Sequence, residues 1–197
     1  MGKTTRLIAI TGGIGSGKSV VSKVLLSMGK HVYDCDSRAK SIVDSSAEIK
    51  MRIACEVSAE AVGPDGVVDR AKLAEVVFAD RNALNRLNAI VHAAVIDDIE
   101  NWRVGLPDNT DTAWVESAII YESGIDRIVD CVWLVEAPED LRIKRVMARN
   151  GVSANDVKKR IDVQNSTCDY VRHSCTQIIL NDSLTPLLPQ IQRLLQK

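Results

Sequence analysis

A chain of 197 residues with 25 basic and 26 acidic side chains carries a formal net charge of -1 and is 46% hydrophobic. That length fits one domain with insertions better than two independent domains, the apolar share suffices for a sizeable core, and the near-zero charge removes any broad electrostatic case for a nucleic-acid or anionic-membrane partner. No stretch approaches a membrane span and no signal-peptide pattern opens the chain, so a cytoplasmic protein is expected; five scattered cysteines without a C-x-x-C pair read as reduced thiols, and three isolated histidines make no metal-binding pattern.

Gly2-Lys3-Thr4 imitates the end of a phosphate loop, but nothing strand-like precedes it, and it reads as a frayed terminus. The apolar run Leu7–Ile10 reads as a strand, and Gly12 to Ser19 then spells a complete G-x-x-x-x-G-K-S loop. Its glycines let successive backbone N–H groups turn toward one centre, and the helix that follows, with Val20, Val21, Val24, Leu25 and Met28, aims its positive end at the same point. Anionic phosphate is the natural guest, with Lys18 reaching the β- and γ-phosphates and the Ser19 hydroxyl on magnesium. Gly29 stops the helix, and His31–Asp34 gives a second strand. From Ser37 to about Arg103 the periodicity is helical, interrupted by the turn Gly63-Pro64-Asp65-Gly66. Strand signals return at Thr112–Ser117 and Cys131–Val135. A helix is expected from about Glu139 to Ala148, a second, capped by Ser153, carries Val157, Ile161 and Gln164, and the chain closes with a strand at Gln177–Leu180 and a helix from Leu184 to Leu195. These elements predict a parallel α/β core of roughly five strands with two insertions, and such sheets bind ligands at the carboxyl ends of their strands.

Several side chains are placed for chemistry. Asp34 and Asp36 alternate where the second strand leaves the sheet, so they either face one pocket and handle an attacking hydroxyl or cap the following helix. Arg142, Arg145 and Arg149 at i, i+3 and i+7 share a helix face that repels itself unless anions lie near, the alternative being a solvated face. Lys158 and Lys159 read as surface, whereas Arg160 and Gln164 make an inward-facing polar pair. Glu116 and Glu122 bracket an apolar run, where either positions magnesium-bound water, holds a lid arginine or makes a structural salt bridge; Glu136 suits the start of a helix, and His92 and Trp102 suit packing.

Together these stretches resemble the dephospho-coenzyme A kinase family. The likeness rests on Ile10–Ser19, on Val32-Tyr33-Asp34-Cys35-Asp36 with Ala39, and on Gly66-Val67-Val68-Asp69-Arg70 with Leu73 and Val77-Phe78. It continues through Leu87–His92, Glu116–Glu122, Arg145, Arg149, Arg160, Gln164 and Asn181, covering nearly the whole chain in the family's order. The resemblance implies transfer of the ATP γ-phosphoryl group, with magnesium, to the 3′-hydroxyl of dephospho-CoA. It implies a three-layer α/β/α P-loop fold with a nucleotide-binding core (1–36, 110–147 and 174–197), a helical acceptor-binding insertion (37–109) and a lid (148–173). ATP contacts are expected from Gly13, Ile14, Gly15, Ser16, Gly17, Lys18, Ser19 and Val20 with Arg145 and Arg149. Asp36 matches the family's base, beside Lys18 and Arg149 as catalytic groups, and Asp34, Asp36, Lys40, His92 and Glu116 are the expected acceptor contacts. Departures are Lys40 in place of Arg or His, Ala93 and Ala118 in place of prolines, and the stretch Ser166–Thr176, where Arg172 is a candidate to complete the lid. A monomer is expected, with an oligomer left open. The other readings are a P-loop kinase for another nucleoside, nucleotide or sugar acid, and a nucleotide-dependent switch, against which stands the lack of an N-K-x-D sequence.

Overall fold

The computed structural model describes residues 4–167 and 173–196. Gly2, Lys3, Cys168 and Arg172 lie outside the described residues, as does the centre of the divergent stretch after Ser166. The elements are β1 (Arg6–Thr11), α1 (Lys18–Ser27), β2 (Val32–Asp34), α2 (Cys35–Ser45), α3 (Ala47–Glu56), α4 (Arg70–Ala79), α5 (Arg81–Val104), β3 (Thr112–Glu116), β4 (Cys131–Glu136), α6 (Glu139–Asn150), α7 (Ala154–Thr167), β5 (Thr176–Leu180) and α8 (Leu187–Leu195). They divide into two compact units, Met1–Tyr33 with Pro107–Lys197, and Asp34–Leu106.

The first unit is built on one sheet in the order β2-β3-β1-β4-β5, in which β1 pairs in parallel with β3 and β4, and β4 with β5. Parallel strands bury both faces, and the sequence meets that demand with period two. Ile8, Ile10, Trp114, Trp133, Val135 and Ile179 pack with Val21 and Leu25 of α1 and Ile191 of α8. The alternate residues Leu7, Ala9, Ala113, Val115 and Val132 are buried as completely on the other face. The fold is thus a three-layer α/β/α arrangement, with β1 at its centre and the loop at Gly12 emerging from the carboxyl end of that strand.

Three details differ from expectation. The closing helix starts at Leu187, because the Asp182 carboxylate accepts from the N–H groups of Leu184 (2.9 Å) and Thr185 (2.7 Å) and turns the chain first. Cys131 and Cys175 are joined as a disulfide between the start of β4 and the approach to β5, so the reading of five reduced thiols does not hold for this pair. Strand pairing brings these cysteines together across a separation of 44 residues, whereas Cys35 and Cys55 are free thiols. The Gly63–Gly66 turn does more than separate helices: Val62 and Val68 pair in an antiparallel bridge around it.

The second unit is helical. Val43, Ile49, Ile53, Ala61, Val68, Leu73 and Ile90 form its core. Each of its helices α2 to α5 begins at a residue whose side chain accepts backbone N–H bonds, namely Asp34, Ser46, Asp69 and Asp80. Arg38 and Asp98 form a forked pair between α2 and α5 at 2.7–2.8 Å, but it is solvent-accessible and contributes under about 1 kcal/mol, so the apolar core holds this unit together. Among the described residues no helix is long and apolar enough to cross a membrane.

Candidate active site

The phosphate loop is shaped by what surrounds it. Gly12 has φ 150°, and a Cβ there would collide with the Val135 carbonyl oxygen; Gly17 opens α1 at φ 99°, and a Cβ there would collide with the Asn181 carboxamide. Each carbonyl from Gly12 to Gly17 has a donor. Lys18 Nζ reaches Gly12 O (2.9 Å), Ser16 N reaches Gly13 O (3.0 Å), Arg142 Nε reaches Ile14 O (2.9 Å) and Arg145 Nη1 reaches Gly15 O (3.5 Å). Asn181 Nδ2 donates to Ser16 O (2.7 Å), and Val20 N to Gly17 O (3.0 Å). With the carbonyls engaged, the N–H groups of Gly15, Gly17 and Ser19 donate to no protein acceptor among the described residues. Unpaired donors at the positive end of a helix make an anion site, and the residues present fit a nucleotide's phosphates. Lys18 is half-buried in the first turn of α1, while Ser19 and Val20 are exposed there.

The three arginines of α6 divide in their roles. Pro138 precedes the helix, Glu139 and Asp140 lie in its first turn where the dipole favours acids, and Gly151 ends it at φ 66°. Arg142 and Arg145 grip loop carbonyls, and Arg145 Nη2 also bonds Asn181 Oδ1 (3.2 Å) and Ser183 Oγ (3.1 Å). Arg149, a turn further on, is exposed and donates to Asn150 Oδ1 (3.0 Å). Arg142 Nη2 and Ser16 Oγ are both buried without a partner among the described residues, and both residues line a cavity of about 470 Å³. Pro138 and Leu180 supply apolar wall there. Asp182 also borders it, its carboxyl held below the usual carboxylate range by the N–H groups of Thr185 and Leu184. On α7, Gln164 Oε1 accepts from Ile14 N at 2.8 Å, whereas Arg160 is exposed and does not form the expected inward-facing pair with it.

The remaining site candidates are distributed over both units. Glu116 ends β3, half-buried and in register with Ile10 of β1, and Glu122 is exposed in the following turn. Asp34 and Asp36 do not leave a common strand, because β2 ends at Asp34 and α2 begins at Cys35. Asp34 caps that helix, accepting from Asp36 N (3.0 Å), Ser37 N (3.4 Å) and Ser37 Oγ (2.6 Å). Asp36 sits in the first turn with an exposed side chain; Lys40 is exposed one turn later, and His92 is half-buried on α5. Asn181 and Gln164 carry more of the site than their sequence pattern indicates. Their loop partners lie 165 and 150 residues away, so no local periodicity announces them.

Comparison with known proteins agrees with this geometry. The family model described as dephospho-CoA kinase matches residues 6–186. Dephospho-CoA kinase from Porphyromonas gingivalis is 36% identical over 96% of this chain and 92% of its own length. The Carboxydothermus hydrogenoformans protein of that name is 32% identical over 97% and 93%. A crystal structure from Thermus thermophilus superposes with a TM-score of 0.76 at 32% identity, covering 98% of this chain and 96% of that one. Dephospho-CoA kinase from Campylobacter jejuni gives 0.69 at 25% identity, with 96% and 95% covered. Shikimate kinase from Bacteroides thetaiotaomicron, at 12% identity and a TM-score of 0.55 over 97% and 96%, shares the fold alone. A phosphate loop braced by α6, α7 and Asn181, in a chain matched almost end to end by these relatives, leads to one assignment: the chain belongs to the dephospho-CoA kinase family.

Proposed function

We infer that the protein is a dephospho-CoA kinase, transferring the γ-phosphoryl group of ATP to the 3′-hydroxyl of the ribose of dephospho-CoA, the last step of coenzyme A synthesis. The observation that carries this, beside family membership, is the loop whose carbonyls each have a donor, those of Ile14, Gly15 and Ser16 from Arg142, Arg145 and Asn181, while the N–H groups of Gly15, Gly17 and Ser19 donate to no protein acceptor among the described residues. In the reaction the ribose oxygen forms a bond to Pγ, the bond from Pγ to the β–γ bridging oxygen breaks, and ADP leaves. The hydroxyl proton passes to a base.

Asp36 is the group we assign as base, with an exposed carboxylate in the first turn of α2. Lys18, now over Gly12 O, turns to the β- and γ-phosphates, and the exposed guanidinium of Arg149 grips phosphate as charge develops. Arg145, tied to the loop and to Asn181, supports the nucleotide from α6. Bound magnesium supplies charge neutralisation, and the Ser19 hydroxyl is the ligand this chain offers it. Asp34, Lys40, His92 and Glu116 complete the proposed acceptor contacts. The segment 148–173 serves as the lid, excluding water so that transfer outruns ATP hydrolysis. The net charge of -1 suits a cytoplasmic enzyme of small molecules without a nucleic-acid partner.

The test is ADP release measured with dephospho-CoA, AMP, nucleosides and gluconate, with phosphorus NMR locating the new ester. Turnover with dephospho-CoA and a 3′-phosphate product is expected. Failure there alongside turnover of another acceptor would sink the reading, and an absence of acceptor-stimulated turnover would point to a switch.

A further inference from the structure

The tip of the phosphate loop is held on three sides by α6 and α7. The Ile14 side chain packs against the small core of Val146, Val157 and Ile161. Its carbonyl accepts from Arg142 Nε at 2.9 Å, and its N–H donates to Gln164 Oε1 at 2.8 Å. Neighbouring N–H groups are left open for an anion, yet this one is taken by the protein itself. Gly12, Gly15 and Gly17 all adopt positive φ, so the chain on either side of Ile14 is permissive and loses much entropy when fixed. A side-chain amide locking the peptide at the centre of that stretch removes the alternatives before ligand arrives, and pre-organisation of this kind appears as affinity.

We propose that Gln164 is a positioning residue for the donor site: by holding the Ile14 peptide, with Arg142 on its other side, it keeps the loop in its phosphate-accepting shape without touching the nucleotide. The inference rests on the proposed function only for taking Mg·ATP as the ligand. Gln164→Leu keeps most of the side-chain volume and removes the acceptor.

Calorimetry without acceptor substrate should show Mg·ATP binding weakened about tenfold, the order expected when one donor loses its acceptor. The KM for dephospho-CoA should stay within about twofold, since the Ile14 peptide bonds Gln164 and Arg142 and none of the proposed acceptor contacts. Arg142→Met should give the same split, and the double variant should lose less than the product of the two single losses, because both fix one peptide. In the unmodified protein the Ile14 amide should be protected from hydrogen exchange before any nucleotide is added, a readout that stands even if Gln164→Leu does not fold. Unchanged ATP affinity in a folded Gln164→Leu, a parallel rise in both KM values, multiplicative losses in the double variant, or an unprotected Ile14 amide would each overturn the proposal. Because binding is measured without acceptor, a wild-type protein that binds ATP but does not phosphorylate dephospho-CoA would remove the functional reading alone.

Discussion

Asn181→Ala removes a side chain that touches both the phosphate loop and α6. The residue is 9% exposed; its Nδ2 donates to Ser16 O at 2.7 Å and its Oδ1 accepts from Arg145 Nη2 at 3.2 Å. The first is a short bond in a buried setting, and losing it costs about 1 kcal/mol or somewhat more, since Ser16 O keeps only the 3.5 Å approach of Arg145 Nη1. A bond from a charged donor usually contributes more, but Arg145 retains Ser183 Oγ at 3.1 Å, so the second loss is also set at about 1 kcal/mol. The sum of about 2 kcal/mol, in a chain of this size, lowers the melting temperature by about 4–8 °C. Thermal unfolding with and without Mg·ATP measures it, in a cycle with Arg145→Ala and the double variant. A coupling of about 0.5–1.5 kcal/mol between the two sites is expected. A melting temperature within about 1 °C of wild type, or strict additivity, would refute the view that Asn181 ties loop and helix together.

Other expectations concern the chemistry and the loop's surroundings. Asp36→Asn should bind ATP normally and lose about 100-fold or more in kcat with dephospho-CoA; near-native kcat would remove Asp36 as an essential base. Arg149→Ala should raise the KM for ATP by about tenfold with the melting temperature unchanged, and unaltered nucleotide use would leave this arginine as a solvated side chain. Gly12→Ala drives a methyl into Val135 O and to 2.8 Å from Ser16 Oγ, so a loss of about 3 kcal/mol or insoluble protein is expected, judged by urea unfolding. Asp182 titrates below its ordinary 3.8 in the folded protein, chiefly through the Thr185 and then the Leu184 N–H. Its stabilising contribution is therefore present above that ordinary value and lost as pH falls through the lowered one. Asp182→Asn should flatten the acid limb of a stability-against-pH curve, and an unchanged limb would count against this account.

The loop, the strands and the long helices were legible because each is announced locally, by glycine spacing or by periodicity. The disposition of Asp34 and Asp36 was left between two readings, a shared pocket and a helix cap. A short apolar run ending in acid leaves both open, and the Asp34 carboxylate decides between them by accepting from the N–H groups of Asp36 and Ser37 and starting a helix at once. The spacing of Arg142, Arg145 and Arg149 gave a shared face but not its division of labour. That depends on how close each turn of α6 comes to the loop, and closeness is set by the register of β4 against β1. The loop partner of Gln164 and the Cys131–Cys175 pairing were beyond reach for a similar reason, since tertiary neighbours leave no mark on the intervening sequence.

The chain leaves the sheet at β2 and returns at β3, the strand beside it, and everything between belongs to a separately packed helical unit. An excursion whose two ends surface on adjacent strands behaves as a cassette. Lengthening it costs little in loop closure, and its interior can be rewritten without disturbing the hydrogen bonds of the frame that hosts it. Grafting a different helical cassette between Tyr33 and Pro107 should therefore leave the sheet folded, and the core that must be preserved is the one that holds Ile8, Trp114 and Trp133 together.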